Sequence, residues 1–133
     1  MKTVFVDTSG FYAALNADDP FHRRARDLLL RAEAESWRLL TTNYVVQETW
    51  ALIQARLGWE AVEAWHRAVL PRCEIVWVDE ALHKLGAARC RQARERRLSL
   101  TDCISFEVMH REHVREAVVD DGHFAAEGFT LPR

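Results

Sequence analysis

Long apolar runs are missing from this 133-residue sequence; the longest is Phe11–Leu15. A membrane-spanning helix needs about 20 consecutive apolar residues, so none is expected. The opening Met1–Val6 meets Asp7 too early to form the apolar stretch of a secretory signal. Cysteine is scarce. Cys73, Cys90 and Cys103 are odd in number and lack zinc-ligand spacing, which argues against a disulfide framework and a thiolate metal centre. A reducing, cytoplasmic setting follows as the expectation. Lysine is nearly absent: Lys2 and Lys84 are the only two, so arginine supplies almost all of the 18 basic residues. Arginine is the better ligand for phosphate. The formal net charge of −2 excludes wholesale electrostatic capture of nucleic acid and leaves room for a local basic surface. There is no Gly-rich phosphate loop, no Gly-x-Ser-x-Gly elbow, no Cys/His nucleophile pattern and no internal repeat.

What is present reads as one α/β domain over residues 1–133. Apolar residues make up 49% and charged residues 29%, an ordinary globular balance that argues against disorder. Val4-Phe5-Val6 reads as a buried strand feeding a loop or helix at Asp7-Thr8-Ser9-Gly10. Asp19-Pro20 starts a helix to about Ala34. Leu39-Leu40-Thr41 is a second strand, and Thr42 or Asn43 caps a helix that Gly58 ends. Glu60–Leu70 is helical, Glu74–Val78 a third strand, and Ala81–Arg96 a long helix. Ser99 or Thr101 caps a helix to about His113, and Ala117-Val118-Val119 is a fourth strand ending in Asp120-Asp121. Strands alternating with helices imply a mainly parallel sheet in a three-layer α/β/α sandwich.

In such a sheet, ligands collect beyond the carboxyl ends of the strands. Two strands end there in acids: Val4–Val6 at Asp7, and Ala117–Val119 at Asp120-Asp121. Each aspartate alone is equally well explained as a turn former. Glu48 lies beside Leu52, at the margin of the apolar face made by Val45, Thr49, Leu52 and Ile53; an ion pair with an arginine, or a side chain that reaches out to water, would explain it by itself. Asp102 falls in a first helical turn, where the helix dipole favours negative charge. The combination carries more than its parts. Two strand ends, one helix start and one helix edge could all converge on the same rim, where carboxylates without accompanying cations would repel one another. A divalent cation resolves the repulsion, and oxygen ligands favour Mg²⁺ or Mn²⁺ over zinc. Arg89, Arg91, Arg94, Arg96 and Arg97 lie on one helix and its end, either as a solvated face or as phosphate ligands. His123 lies next to the acidic strand end. The five tryptophans, Trp37, Trp50, Trp59, Trp65 and Trp77, read as core or interface.

Four segments carry a resemblance: Val4-Phe5-Val6-Asp7-Thr8-Ser9, Thr41 through Glu48, Leu98 through Cys103, and Asp121-Gly122-His123-Phe124. In this order and spacing they look like the PIN domain, and the compact form is similar to the VapC-type toxins of toxin–antitoxin pairs. The resemblance implies an Mg²⁺- or Mn²⁺-dependent endoribonuclease. Asp7, Glu48 and Asp102 match three acidic motif positions and Asp121 best matches the fourth; Asp7, Asp102 and Asp121 would be the metal ligands. Thr8 or Ser9 matches a hydroxyl that orders the site, and Arg89, Arg94, Arg96 and Arg97 are the candidates for holding RNA. One departure is Val119, where the family often carries Thr. The resemblance also implies an RNA substrate, a cognate antitoxin and a homodimer, its apolar area supplied by the Arg24–Leu30 and Leu52–Trp65 helices. Two other readings compete: a non-catalytic PIN-like module binding RNA or protein, and an RNA-processing nuclease without an antitoxin. Haloacid-type phosphatases need Asp-x-Asp where this chain has Asp7-Thr8-Ser9. A receiver domain needs a late lysine, and none follows Lys84.

Overall fold

The computed structural model describes residues 1–133. Four strands, β1 (Thr3–Val6), β2 (Arg38–Thr42), β3 (Cys73–Val76) and β4 (Glu116–Val118), form one sheet in the order β3-β2-β1-β4. Every pairing is parallel. Seven α-helices connect them: α1 (Thr8–Leu15), α2 (His22–Ala34), α3 (Asn43–Arg56), α4 (Trp59–Ala64), α5 (Glu80–Ala93), α6 (Leu100–Arg111) and α7 (Gly122–Ala126). Val4, Phe5 and Val6 are all fully buried. Successive strand residues point to opposite faces, so β1 is covered on both sides. This is the α/β/α layering expected of a parallel sheet.

Chain order moves from β1 outward to β2 and β3, then crosses back to β4 on the other side of β1. The reversal lies between β1 and β4, and a parallel sheet opens its binding crevice at the carboxyl ends of such strands. The approach there is close. Asp7 N–H donates to the Val118 carbonyl at 3.2 Å. A Cβ on Gly10 would stand 2.2 Å from that same oxygen, so only glycine lets α1 cross the end of β4.

The elements differ from the sequence reading mainly at their ends. The third strand stops at Val76, not Val78, because Val78 N–H leaves the ladder and donates to the Asn43 side chain at 2.7 Å. The helix expected to reach Arg96 stops at Ala93, where Arg94 turns into the left-handed region at φ 52°. The helix after Gly58 widens into a π-turn over Trp65–Val69 and tightens into a 3₁₀ turn over Leu70–Arg72, which contains Pro71, before β3 begins. The short α7 was not anticipated. Trp65 and Trp37 are core residues, whereas Trp59 and Trp77 are exposed. Of the two helical segments expected to offer apolar area to a partner, Trp65 is therefore spent on the interior, and Leu30 and Trp59 remain outside.

Candidate metal centre

Three of the four expected acids sit where a helix begins. Asp7 is the N-cap of α1, its Oδ2 accepting from Ser9 N–H (3.3 Å) and from the Ser9 hydroxyl (3.1 Å). Asp102 closes a capping box on α6: its N–H donates to Ser99 Oγ at 3.0 Å, and its Oδ2 accepts from Ser99 N–H at 3.2 Å. Asp121 caps α7, its Oδ1 accepting from His123 N–H at 2.8 Å. Each carboxylate thus commits one oxygen to local backbone structure and leaves the other without a protein partner. For Asp7 the free oxygen, Oδ1, is fully buried.

These residues line one open cleft of about 380 Å³, together with Glu48 from α3, Asp19, Asp120, Thr8 and Ser9. Ser9 ties the rim together, since its hydroxyl donates to Asp7 and accepts from Asp120 N–H at 2.9 Å. Thr8 plays a different part. It accepts from the Thr49 hydroxyl at 3.3 Å, locking α1 against α3 one residue beyond Glu48. Asp121 is half-buried and Asp120 exposed.

The electrostatics match the crowding. Asp7 is 4% exposed, and burial, then the charge of Asp102 and more weakly that of Glu48, push its carboxyl up to about 7 against the pull of Ser9. Asp102 is also raised, by burial first and then by Asp121 and Glu48, with the Ser99 bonds opposing. A buried oxygen with no hydrogen-bond donor, beside carboxylates that raise Asp7 and Asp102, is an environment that a bound cation would relieve. The donors fit one. Single ligand atoms of Asp102, Asp121 and His123 lie within 4.8 Å of one another. Hard oxygen donors with one imidazole suit a small divalent ion.

His123 is the part of this group that sequence reasoning left aside. Its Nδ1 lies 3.0 Å from Asp121 Oδ1 and its Nε2 3.3 Å from Glu95. Its position two residues after Asp121 was the available signal. The arginines divide. Arg97 lines the cleft. Arg94 and Arg96 are exposed outside it. Arg89 is pinned by Glu107 and Glu127, both at 3.0 Å, and leans on the Phe106 ring, so it serves the α5–α6–α7 packing.

A parallel sheet with acids at the ends of the adjacent strands β1 and β4, on one rim with a helix-borne Glu48, is the frame of the PIN domain, and the PIN domain model matches residues 4–127. The chain belongs to that family. It is 35% identical, over 134 aligned positions spanning 98% of both chains, to the 23S rRNA-specific endonuclease VapC20 of Mycobacterium tuberculosis, in strains CDC 1551 / Oshkosh and ATCC 25618 / H37Rv. The crystal structure of M. tuberculosis VapC20, described as a sarcin-ricin loop cleaving toxin, superposes with a TM-score of 0.82 at 32% identity, again over 98% of each chain. No helix is long and apolar enough to cross a membrane.

Proposed function

We propose that this protein is an Mg²⁺- or Mn²⁺-dependent endoribonuclease, the toxin of a toxin–antitoxin pair, acting in the cytoplasm on a structured ribosomal RNA segment. The observation that carries the chemistry is the unpartnered, buried Asp7 Oδ1 in a cleft shared with Glu48, Asp102 and Asp121. The RNA class rests on the full-length likeness to a 23S rRNA endonuclease. Asp7, Asp102 and Asp121 would hold the ion, with His123 in reach. When bound, the divalent ion supplies Lewis acidity, lowering the pKa of water and offsetting phosphodiester charge. Glu48, which lines the same cleft from α3, accepts a proton from the attacking water and aims its oxygen at phosphorus. The bond from phosphorus to the 3′-oxygen breaks and that oxygen takes up a proton from solvent water, leaving a 5′-phosphate and a 3′-hydroxyl. The ribose 2′-hydroxyl is not the nucleophile, so preference for RNA comes from shape and contacts elsewhere. Ser9 keeps Asp7 and the β4 end in register throughout. The chain acts as one domain, and exposed Leu30, Trp59, Trp77 and Leu85 offer apolar surface for a homodimer or antitoxin.

The test is cleavage of 23S ribosomal RNA, in ribosomes and as free RNA, with Mg²⁺ or Mn²⁺ and with chelator, the ends mapped by primer extension. Metal-dependent cutting that Asp7→Asn and Asp102→Asn abolish is the expected result. Wild-type rates in either variant would refute the site.

A further inference from the structure

An acidic cleft is a poor place for a polyanion. Asp7, Asp19, Glu48, Asp102, Asp120 and Asp121 all face it, and one divalent ion leaves the rim negative. Only two cationic side chains line the same cleft, Arg56 and Arg97. They come from unrelated parts of the chain: Arg56 is the last residue of α3, and Arg97 lies in the α5–α6 connection, two residues before the Ser99 cap. Both are exposed. Neither forms an ion pair, although six carboxylates line the same opening and five other arginines in the molecule are paired with carboxylates. Arg56 is held instead by an aromatic ring, its Cζ 5.7 Å from the Tyr12 centroid. Tyr12 also lines the cleft, and its hydroxyl is fixed by a 3.2 Å bond from Asn16 Nδ2. A guanidinium stacked on a ring keeps its donors free for another partner.

We propose that Arg56 and Arg97 form a two-sided phosphate clamp at the mouth of the cleft, gripping the RNA backbone on either side of the bond to be cut, with Tyr12 as the platform that aims Arg56. This deepens the nuclease reading and rests on it. Both arginines are positioning residues. They act on substrate binding and register, and the acids act on the reacting phosphate. A guanidinium on a phosphate is also the contact that sets salt dependence, which an arginine kept for folding would not do.

The experiment measures steady-state cleavage of a ribosomal RNA hairpin in Mn²⁺, and its binding by fluorescence anisotropy from 50 to about 250 mM KCl. The proteins are wild type, Arg56→Ala, Arg97→Ala, Arg56→Lys, Arg97→Lys, Tyr12→Leu, the double variant Tyr12→Leu/Arg56→Ala and the control Arg89→Ala. Each cleft alanine variant should raise KM about 10-fold with kcat within about 3-fold, and flatten the slope of log affinity against log salt by about 0.7. Lysine should restore most of the slope. Tyr12→Leu should raise KM when Arg56 is present and add nothing to Arg56→Ala. Arg89→Ala should leave KM and slope unchanged. Wild-type KM and slope in Arg56→Ala and Arg97→Ala, while Asp7→Asn abolishes cleavage, would overturn the clamp and leave the nuclease reading standing. Absence of cleavage by the wild type would overturn the nuclease reading instead, full cleavage by Asp7→Asn would refute the acidic site, and in either case the anisotropy slopes would still decide whether the two arginines hold phosphate.

Discussion

Replacing Asp7 by Asn should make the metal-free protein more stable while destroying its activity. The Asp7 carboxyl is raised from 3.8 to about 7, chiefly by burial and by the charge of Asp102. A shift of roughly three units at about 1.4 kcal/mol each sets an upper bound of about 4 kcal/mol on the strain of keeping this group ionised. Asparagine removes the charge and can still accept from Ser9 N–H and Oγ with its carbonyl. Its amide then occupies the place of the unpartnered Oδ1, and an unsatisfied amide costs about 1–3 kcal/mol. A net gain of about 1–3 kcal/mol at pH 8 remains, a rise in Tm of roughly 3–10 °C for a chain of this size.

The pH dependence identifies the cause. A carboxyl whose folded pKa lies above its unfolded value favours folding when protonated. That contribution is whole below about pH 3.8, falls as pH rises, and is gone above about pH 7. Asparagine does not titrate, so the stability difference between variant and wild type should widen from pH 4 to pH 7 and level off beyond it. Thermal or urea melts of both proteins in chelator at four pH values read this directly, because titrating groups that do not interact with Asp7 cancel in the difference. A variant less stable than wild type at pH 8, or a difference independent of pH, would refute the reasoning.

Millimolar Mn²⁺ should close or reverse the gap: an ion at 100 times its dissociation constant adds about 2.7 kcal/mol to the wild type, and melts of Asp7→Asn should show little of that shift. Asp121→Asn should lower the cleavage rate about 100-fold or more and Asp120→Asn only a few-fold, since Asp121 lies close enough to Asp102 to raise it and Asp120 is exposed; the opposite order in single-turnover assays would move the fourth acid by one residue. Gly10→Ala should cost about 1–3 kcal/mol in urea unfolding, because its new methyl meets the Val118 carbonyl at 2.2 Å; an unchanged midpoint would mean α1 can lift from β4 freely.

The sheet was legible because its strands are short apolar runs cut off by polar residues, and because Val4-Phe5-Val6 has no polar face. The acids were legible through their places at strand ends and helix starts. What was hidden depends on residues distant in sequence meeting in space. Nothing local at Arg56 announces that it lies over Tyr12, 44 positions earlier, at the edge of the acidic cleft. Arg89 looked equivalent to Arg97 along the chain, yet Glu107 and Glu127 claim it from α6 and the end of α7. His123 was visible beside Asp121, but its second contact, to Glu95, follows only from the α5–α6 connection passing over the β4 end. The third strand was read two residues too long because the Asn43 side chain, not a neighbouring strand, takes Val78 N–H.

For Asp7, Asp102 and Asp121, a bland structural role and a functional role looked like rival explanations in the sequence; in the structure one oxygen makes the helix cap and the other is left for the proposed ion. Asp102 shows how to separate them. Its Oδ2 completes the α6 capping box with Ser99, and its other oxygen is free for an ion. Asparagine keeps a carbonyl for Ser99 N–H and sheds a charge that burial and Asp121 oppose, so Asp102→Asn should melt at or above the wild type in chelator. Alanine loses the cap bond too and should melt below asparagine by about 1 kcal/mol. In cleavage the two variants should be equally inactive, because each lacks the ligand charge. A fall in stability shared by Asn and Ala would show that the carboxylate is held for folding alone, and cleavage by Asp102→Ala would remove it from the site. Equal loss of activity with unequal stability is the signature of one side chain whose two oxygens do different work.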